Sequence, residues 1–444
     1  MKKLRELLFI LQLEEYSLDR LNKWIRENPN FSVLEQKRKL IWTGKLKLIF
    51  FTAIPFLLFK SPQASLTMSI NILKPLENFV KNVVLSLAKY KINRRKNLTV
   101  IGITGSYGKT SVKEILAYLL SSKYKTLKTP ESYNTLMGVS KVILRDLKPE
   151  HKFFVVEMGM YGPLEIKRIC DLVKPNAGIV TSVGISHLER AGSVENIYKA
   201  KSELIESLPE GSLAVLNREN KLCEKMSKVR SDLTLSLCGF SKTDNNSVWA
   251  TEIRTTEKGI SFILHSGGGE VKITAPLLGR HNALNIVLAS AVALHFGLSL
   301  EEIKNALTSL PQISHRLQLM EGANGSTIID DSYNANPESV KSAIEVLKDF
   351  DSPTKIVVTP GMIELGDKQY EENKIFGEAL GKTANYVLVV GETNRKAIVE
   401  GLNKSKRAQY FEMKDLKEAT AKLSEIVTPG SVILFENDLT DQYI

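Results

Sequence analysis

The stretch Leu98-Thr-Val-Ile-Gly-Ile-Thr104-Gly105-Ser106-Tyr107-Gly108-Lys109-Thr110-Ser111 leaves the chain few options, because an apolar β-type run, a glycine loop and a helix start follow one another without a gap. That order is what a phosphate cradle requires. Gly105 and Gly108 let the backbone approach a phosphate, Lys109 supplies charge to the outer phosphates, and the Thr110 hydroxyl can sit on a magnesium ion, with Ser106, Tyr107 and Ser111 completing the loop. The helix reads on from Val112 to Leu120. Ile103 stands where the general Walker pattern has a further glycine, so the match is to the narrower form T-G-x-x-G-K-T. Its setting between strand and helix favours nucleotide binding over a merely structural turn.

A chain of 444 residues, 43% hydrophobic and 25% charged, is long enough for two or three domains with separate cores. Cys170, Cys223 and Cys238 are too few and too dispersed for a disulfide framework or zinc ribbon, which fits a reducing compartment. Net charge is +11, but residues 1–100 hold 19 Lys and Arg against 7 Asp and Glu, leaving 41 against 42 for the remainder. The nucleotide-binding body is therefore close to neutral, and the basic balance does not point to nucleic acid.

Residues 1–30 show an amphipathic helical pattern that ends near Asn28-Pro29-Asn30, with no small-residue cleavage site of a secretory signal. Leu48 to Phe59 is uncharged but only twelve residues long and interrupted by Pro55, too short to span a bilayer as one helix. Ser61 to Leu73 is mostly polar or small, Val83 to Ala88 is apolar, and Lys89 to Lys96 reads as a basic linker. Apolar segments flanked by lysines predict a peripheral or shallowly inserted anchor on an anionic membrane, with the active body on its cytoplasmic face. A small helical domain whose apolar faces pack together is the alternative for 1–97.

From Leu98 onward apolar strands alternate with helices, predicting an α/β fold: a central P-loop parallel-sheet domain over 98–311 and a Rossmann-like α/β domain over 312–444. Strands are expected at Phe153–Glu157, Ala177–Val183, Leu213–Asn217, Ser326–Asp330, Lys355–Thr359, Tyr386–Val390 and Ser431–Phe435, with a short antiparallel hairpin region over 247–275. Helices are expected at Ala283–Phe296 and Leu300–Ser309, and Pro311 marks the domain boundary.

Further along lie Glu157-Met-Gly159, Gly184-Ile-Ser-His187-Leu-Glu189, Ala200-Lys201-Ser-Glu203, Gly279-Arg-His281-Asn282-Ala-Leu-Asn285, Arg316, Asp330-Asp331-Ser-Tyr333-Asn334-Ala-Asn336-Pro337 and Gly361-Met-Ile-Glu364-Leu-Gly366. With T-G-S-Y-G-K-T these make seven motifs and one arginine, in an order that resembles the Mur ligase family, most closely its D-alanyl-D-alanine-adding branch. The resemblance covers about residues 98–440. It implies an ATP- and Mg2+-dependent amide ligase of peptidoglycan-precursor assembly, working through an acyl phosphate on a peptide-bearing cell-wall precursor, as a monomer.

The same resemblance implies roles. Thr110 and Glu157 would hold the magnesium that bridges the β- and γ-phosphates, and His187 would bind a second. Lys201 would be carbamylated to help bridge the metals, although its bare spacing beside Lys199 reads as a solvated helix lysine. Asn282 and Asn285 would line the adenine pocket, Asp331 would bind the ribose, and Arg316 would reach the γ-phosphate. Taken alone, His281 reads as a helix-start residue, and the aspartate pair as a strand-to-turn cap in which Asp330 ends its strand. Tyr333, Asn334 and Asn336 would organise the amine-substrate side. Two departures accompany the resemblance: residues 1–97 do not resemble the family's sugar-binding domain, and Phe435 to Tyr443 replaces its usual basic terminal stretch. The rival readings are a folylpolyglutamate- or cyanophycin-type ligase and an ATP-binding scaffold without turnover.

Overall fold

The computed structural model describes residues 2–28, 39–131, 133–160, 162–186, 188–242, 244, 247–405 and 407–439. They fall into two compact units: residues up to Val84 with Gly391–Thr393 and Leu439, and Leu85–Val390 with Asn394–Asp438.

The first unit is helical, with α1 (Lys2–Leu13), α2 (Leu18–Glu27), α3 (Gly44–Ala53), a 3-10 turn at Ile54–Leu58, and α4 (Pro62–Asn93), which continues into the second unit. The single amphipathic pattern expected over 1–30 is two helices. Glu15 and Tyr16 adopt left-handed backbone conformations, and Ser17 accepts from Arg20 N to start α2. Leu4, Leu7, Leu11, Leu21, Leu46 and Leu66 belong to this unit's core.

The region expected as separate segments from Ser61 to Lys96 is largely one helix of 32 residues with Pro75 inside it. Lys89 to Lys96 is accordingly not a free linker. Ala88 and Ile92 join the core of the second unit beside Val100 and Val142, and Lys91 Nζ donates to Leu144 O at 2.8 Å.

The second unit holds two sheets. One contains β1 (Thr99–Thr104), β2 (Thr126–Lys128), β3 (Phe153–Glu157), β4 (Ala177–Val180), β5 (Leu213–Asn217), β6 (Thr234–Gly239), β7 (Val248–Thr256), β8 (Gly259–Ser266) and β9 (Gly269–Ala275), in the order β2-β3-β1-β4-β5-β6-β7-β8-β9. Its strands run parallel as far as β7, after which β8 and β9 complete an antiparallel meander, one strand more than the expected hairpin. The second sheet contains β10 (Gln318–Glu321), β11 (Thr327–Asp331), β12 (Lys355–Thr359), β13 (Tyr386–Val390), β14 (Gln409–Met413) and β15 (Val432–Glu436), in the order β10-β11-β15-β12-β13-β14. All its pairings are parallel except that of β10. β11 ends at Asp331, one residue beyond the expected Asp330.

Glycines set how closely the layers approach. A Cβ at Gly102 in β1 would lie 2.7 Å from Leu204 Cδ1, so the helix Val194–Glu206 that carries Lys201 packs directly on the strand leading into the glycine loop. In the second sheet's helical layer, a Cβ at Gly401 would stand 2.0 Å from Lys374 O, and one at Gly377 would stand 2.2 Å from Ile398 O. These clashes are with backbone, which cannot step aside. Gly401→Ala is therefore expected to destabilise the protein by roughly 1–3 kcal/mol through overpacking, read as a lower urea midpoint. A midpoint equal to wild type would contradict this close packing.

Candidate active site

The loop between β1 and α5 (Lys109–Ser121) is held from the end of β4. Ser106 N donates to Ser182 O at 2.9 Å, Tyr107 N to Ser182 Oγ at 2.9 Å, and Gly184 N to Ser106 Oγ at 2.8 Å. Gly108 sits at φ 81°, and a Cβ on Gly105 would fall 1.9 Å from Thr181 Oγ1. Both positions need glycine for the tight turn that opens the helix. Lys109 folds over the loop and donates to Gly105 O at 2.7 Å. Burial pulls its ammonium below the usual lysine range, with Glu157 opposing this and Arg316 adding to it.

Glu157 ends β3 and is 2% exposed. Thr110 Oγ1 donates to its Oε2 at 3.1 Å, Asn134 Nδ2 donates to its Oε1 at 3.2 Å, and Lys113 Nζ lies 3.3 Å from Oε2. A hydroxyl and a buried carboxylate oxygen at this spacing suit a magnesium ion, with phosphate and water oxygens completing its shell. Among the described residues no group of three His, Cys, Asp or Glu forms a metal cluster. His187 lies outside the described residues.

Lys113 and Asn134 belong to none of the motifs that stand out in the sequence. Lys113 is fully buried, and its signal was helical spacing, three residues after Thr110 on the same face. Asn134 comes from a loop and carries no local signal.

Lys201 is buried on the helix Val194–Glu206, whereas Lys199 is exposed, so the solvated-lysine reading does not hold for Lys201. Burial first, and then repulsion from Lys109, keep its amine well below the ordinary lysine value.

Two cavities meet at Arg316. One, of about 150 Å³, is lined by Gly108, Ser111, His281, Asn285, Arg316 and Asp331 among others. The other, of about 440 Å³, is lined by Thr110, Glu114, Lys128, His315, Arg316 and Tyr333 among others. Arg316 stacks 4.2 Å over the Tyr333 ring. It stands between two left-handed residues, His315 (φ 57°) and Leu317 (φ 51°). The aspartate pair secures that strained turn: His315 Nδ1 bonds Asp330 Oδ2 at 2.7 Å, and Leu317 N donates to Asp331 Oδ1 at 3.3 Å. Burial pushes the Asp331 carboxyl up to about 6 against the pull of Arg316. Glu436, paired with Asp331 in register, is held well above the carboxylate range by burial and then by Asp331.

Several expected residues sit elsewhere than the resemblance implies. Asn282 is buried, donates to Leu278 O at 2.8 Å and accepts from Asn285 Nδ2 at 2.9 Å, so it braces the pocket-lining Asn285 from behind. Asn336 caps the helix Pro337–Asp349, accepting from Glu338 N and Ser339 N, and lines the smaller cavity, not the one that holds Tyr333. Capping consumes its side-chain oxygen. Asn334 is exposed and lines neither cavity.

Residues 103–293 match the Mur ligase middle domain, and residues 315–436 match the Mur ligase glutamate ligase domain. A UDP-N-acetylmuramoyl-tripeptide--D-alanyl-D-alanine ligase of Buchnera aphidicola subsp. Baizongia pistaciae is 34% identical over 349 residues, covering 78% of this chain and 74% of that protein. The chain belongs to the Mur ligase family. Among solved Mur ligases, MurF from Acinetobacter baumannii aligns with a TM-score of 0.73 at 28% identity, covering 80% of this chain and 77% of that one. MurF from Thermotoga maritima, solved in complex with ADP, aligns at 0.71 and 28%, covering 81% and 80%.

His281 has a buried Nδ1 with no hydrogen-bond partner, and burial followed by Arg316 depresses its pKa to about 4. The folded chain thus resists protonation where the unfolded chain, with an ordinary histidine, accepts it. Stability should fall as pH drops from about 6.5 towards 4, and His281→Asn should flatten that part of the urea-midpoint profile. An unchanged profile in the variant would contradict a neutral buried imidazole.

Proposed function

We propose that the chain is an ATP- and Mg2+-dependent ligase that joins D-alanyl-D-alanine to the peptide carboxylate of a UDP-N-acetylmuramoyl-tripeptide-type precursor. The observation that carries this is the meeting of two cavities at one guanidinium, because a phosphoryl group held in the smaller can be presented to a substrate in the larger. The relatives' names supply the substrate identities. In the reaction, a carboxylate oxygen of the precursor takes the γ-phosphoryl group as its bond to ADP breaks. The dipeptide amine then attacks the acyl carbon, phosphate leaves, and the amine gives up a proton.

Gly105, Ser106, Tyr107, Gly108, Ser111 and Lys109 would cradle the phosphates. Asn285 would face the adenine, and Asp331 the ribose. Bound magnesium would neutralise charge on the β- and γ-phosphates, held by Thr110 and Glu157, with His187 proposed for a second ion. Arg316 would stabilise the charge that develops during transfer. Tyr333 would stand on the amine-substrate side.

Lys201 is proposed to react as the neutral amine with carbon dioxide, releasing a proton and gaining a carboxylate near the metals. Its burial and the nearby Lys109 support that reading. Residues 1–97 are read as the part that keeps this chemistry on the cytoplasmic side of an anionic membrane.

The function is tested by phosphate release from ATP with candidate acceptors and amines, followed by the product's mass. Release with D-alanyl-D-alanine and the mass of the joined amide are expected, and release with glutamate-type amines but never with the dipeptide would overturn the reading. Lys109→Ala and Arg316→Ala should each lower turnover by about 10²–10³ or more, so activity within about threefold of wild type would contradict their roles. Lys201→Ala should be inactive yet partly restored by added short-chain carboxylates, while Lys199→Ala should be nearly silent. Equal loss in both lysine variants would mean a structural helix.

A further inference from the structure

Among the described residues, thirteen of the twenty-one exposed large hydrophobic side chains lie between Ile41 and Val83, in the first unit. They are ordered by the helices that carry them. On α3, Leu46, Ile49 and Ala53 face the unit's core, while Leu48 and Phe51 stand on the opposite face. At 100° per residue, Lys45 and Lys47 fall on either side of that outward pair. The turn that follows exposes Leu58 (79%) and Phe59 (84%) next to Lys60. On α4, the exposed residues Ile72, Leu76, Phe79 and Val83 recur at steps of three and four, which keeps them on one side of the helix.

Charge distinguishes the occupants such a surface could take. Residues 41–84 contain five lysines, no arginine and one carboxylate, Glu77. Glu77 is already paired within the unit, 2.9 Å from Lys45 Nζ and 2.7 Å from Lys81 Nζ. A second copy of the chain would bring the same cationic surface against itself, which like-charge repulsion opposes. No helix among the described residues is long and apolar enough to cross a membrane. An apolar face rimmed by lysines, on helices that do not span, suits the plane of an anionic bilayer, with its aromatic and aliphatic side chains at the acyl boundary and its cations at the phosphates.

We propose that the outward face of α3, the Leu58-Phe59 turn and the exposed side of α4 as far as Val83, all within the first unit, form an in-plane binding surface for anionic lipid, an inference that rests on the membrane reading of residues 1–97 and names the surface responsible. The apolar centre shifts accordingly. It extends beyond the Leu48–Phe59 run into α4, whose first half looks too polar to qualify when read as sequence.

Flotation of the full chain with phosphatidylglycerol-containing vesicles, compared with pure phosphatidylcholine vesicles at low and high salt, tests this. Binding should need the anionic lipid and weaken with salt. Phe51→Glu/Phe59→Glu and Ile72→Glu/Phe79→Glu should each reduce partitioning by at least about tenfold, with thermal unfolding and turnover on soluble substrates unchanged. If the full chain binds anionic vesicles and both variants bind equally well, this surface is wrong while the membrane reading stands. If the full chain ignores anionic vesicles, both fall. A stable dimer in lipid-free solution that the Phe51→Glu/Phe59→Glu variant dissociates would make the face a contact between copies, overturning the proposal.

Discussion

A carboxylate at the end of β3 that is almost wholly removed from water must be met by donors on every side, and much of the site follows from that demand. Glu157 is met by the Thr110 hydroxyl, the Asn134 amide and the Lys113 ammonium, each brought by a different turn of chain. Thr110 and Lys113 come from the first turns of α5, whose start is set by the glycine loop. The phosphate cradle and the carboxylate are therefore one construction. Loosening the loop would displace the donors that make a buried carboxylate tolerable.

Arg316 depends on a second constraint. It lies between two residues in left-handed conformations, an arrangement that side chains disfavour and that persists only where neighbours enforce it. Asp330 and Asp331, adjacent at the end of β11, bond to His315 and Leu317 on either side of it. A pair that looks in sequence like a strand cap and a ribose ligand thus also aims the guanidinium towards the junction of the two cavities. Asp331 serves the turn and lines the smaller cavity at once, and it shares its buried surroundings with Glu436 from the neighbouring strand. The replaced terminal stretch begins one residue earlier, at Phe435, which lies in register with Asp330.

What could be read in advance was what short-range chemistry dictates. The strand, glycine loop and helix at Leu98 to Leu120 were legible because turn, charge and periodicity agree there. Three of the strands that escaped, β2, β10 and β14, are sheet edges, where one side needs no partner and the apolar signal weakens. The long helix α4 was hidden by Pro75 and by a run of small polar residues, including Ser65 and Ser69, which are buried in the structure. Lys201 illustrates the limit of spacing. Its neighbour Lys199 is chemically identical, and only the packing of that helix on Gly102 and Gly178 separates a buried amine from a solvated one. Asn336 shows the converse: Asn-Pro-Glu-Ser is a local helix-cap pattern, and the side chain spends its oxygen on that cap.

The central claim is that the two cavities serve one phosphoryl transfer to a carboxylate, followed by attack of the dipeptide amine. It is tested most directly by following oxygen. When the precursor's terminal carboxylate carries 18O and turnover proceeds with ATP and D-alanyl-D-alanine, each amide formed should deliver one labelled oxygen to the released phosphate. Phosphate free of label, with amide accumulating at the same rate, would contradict an acyl phosphate and the account built on it.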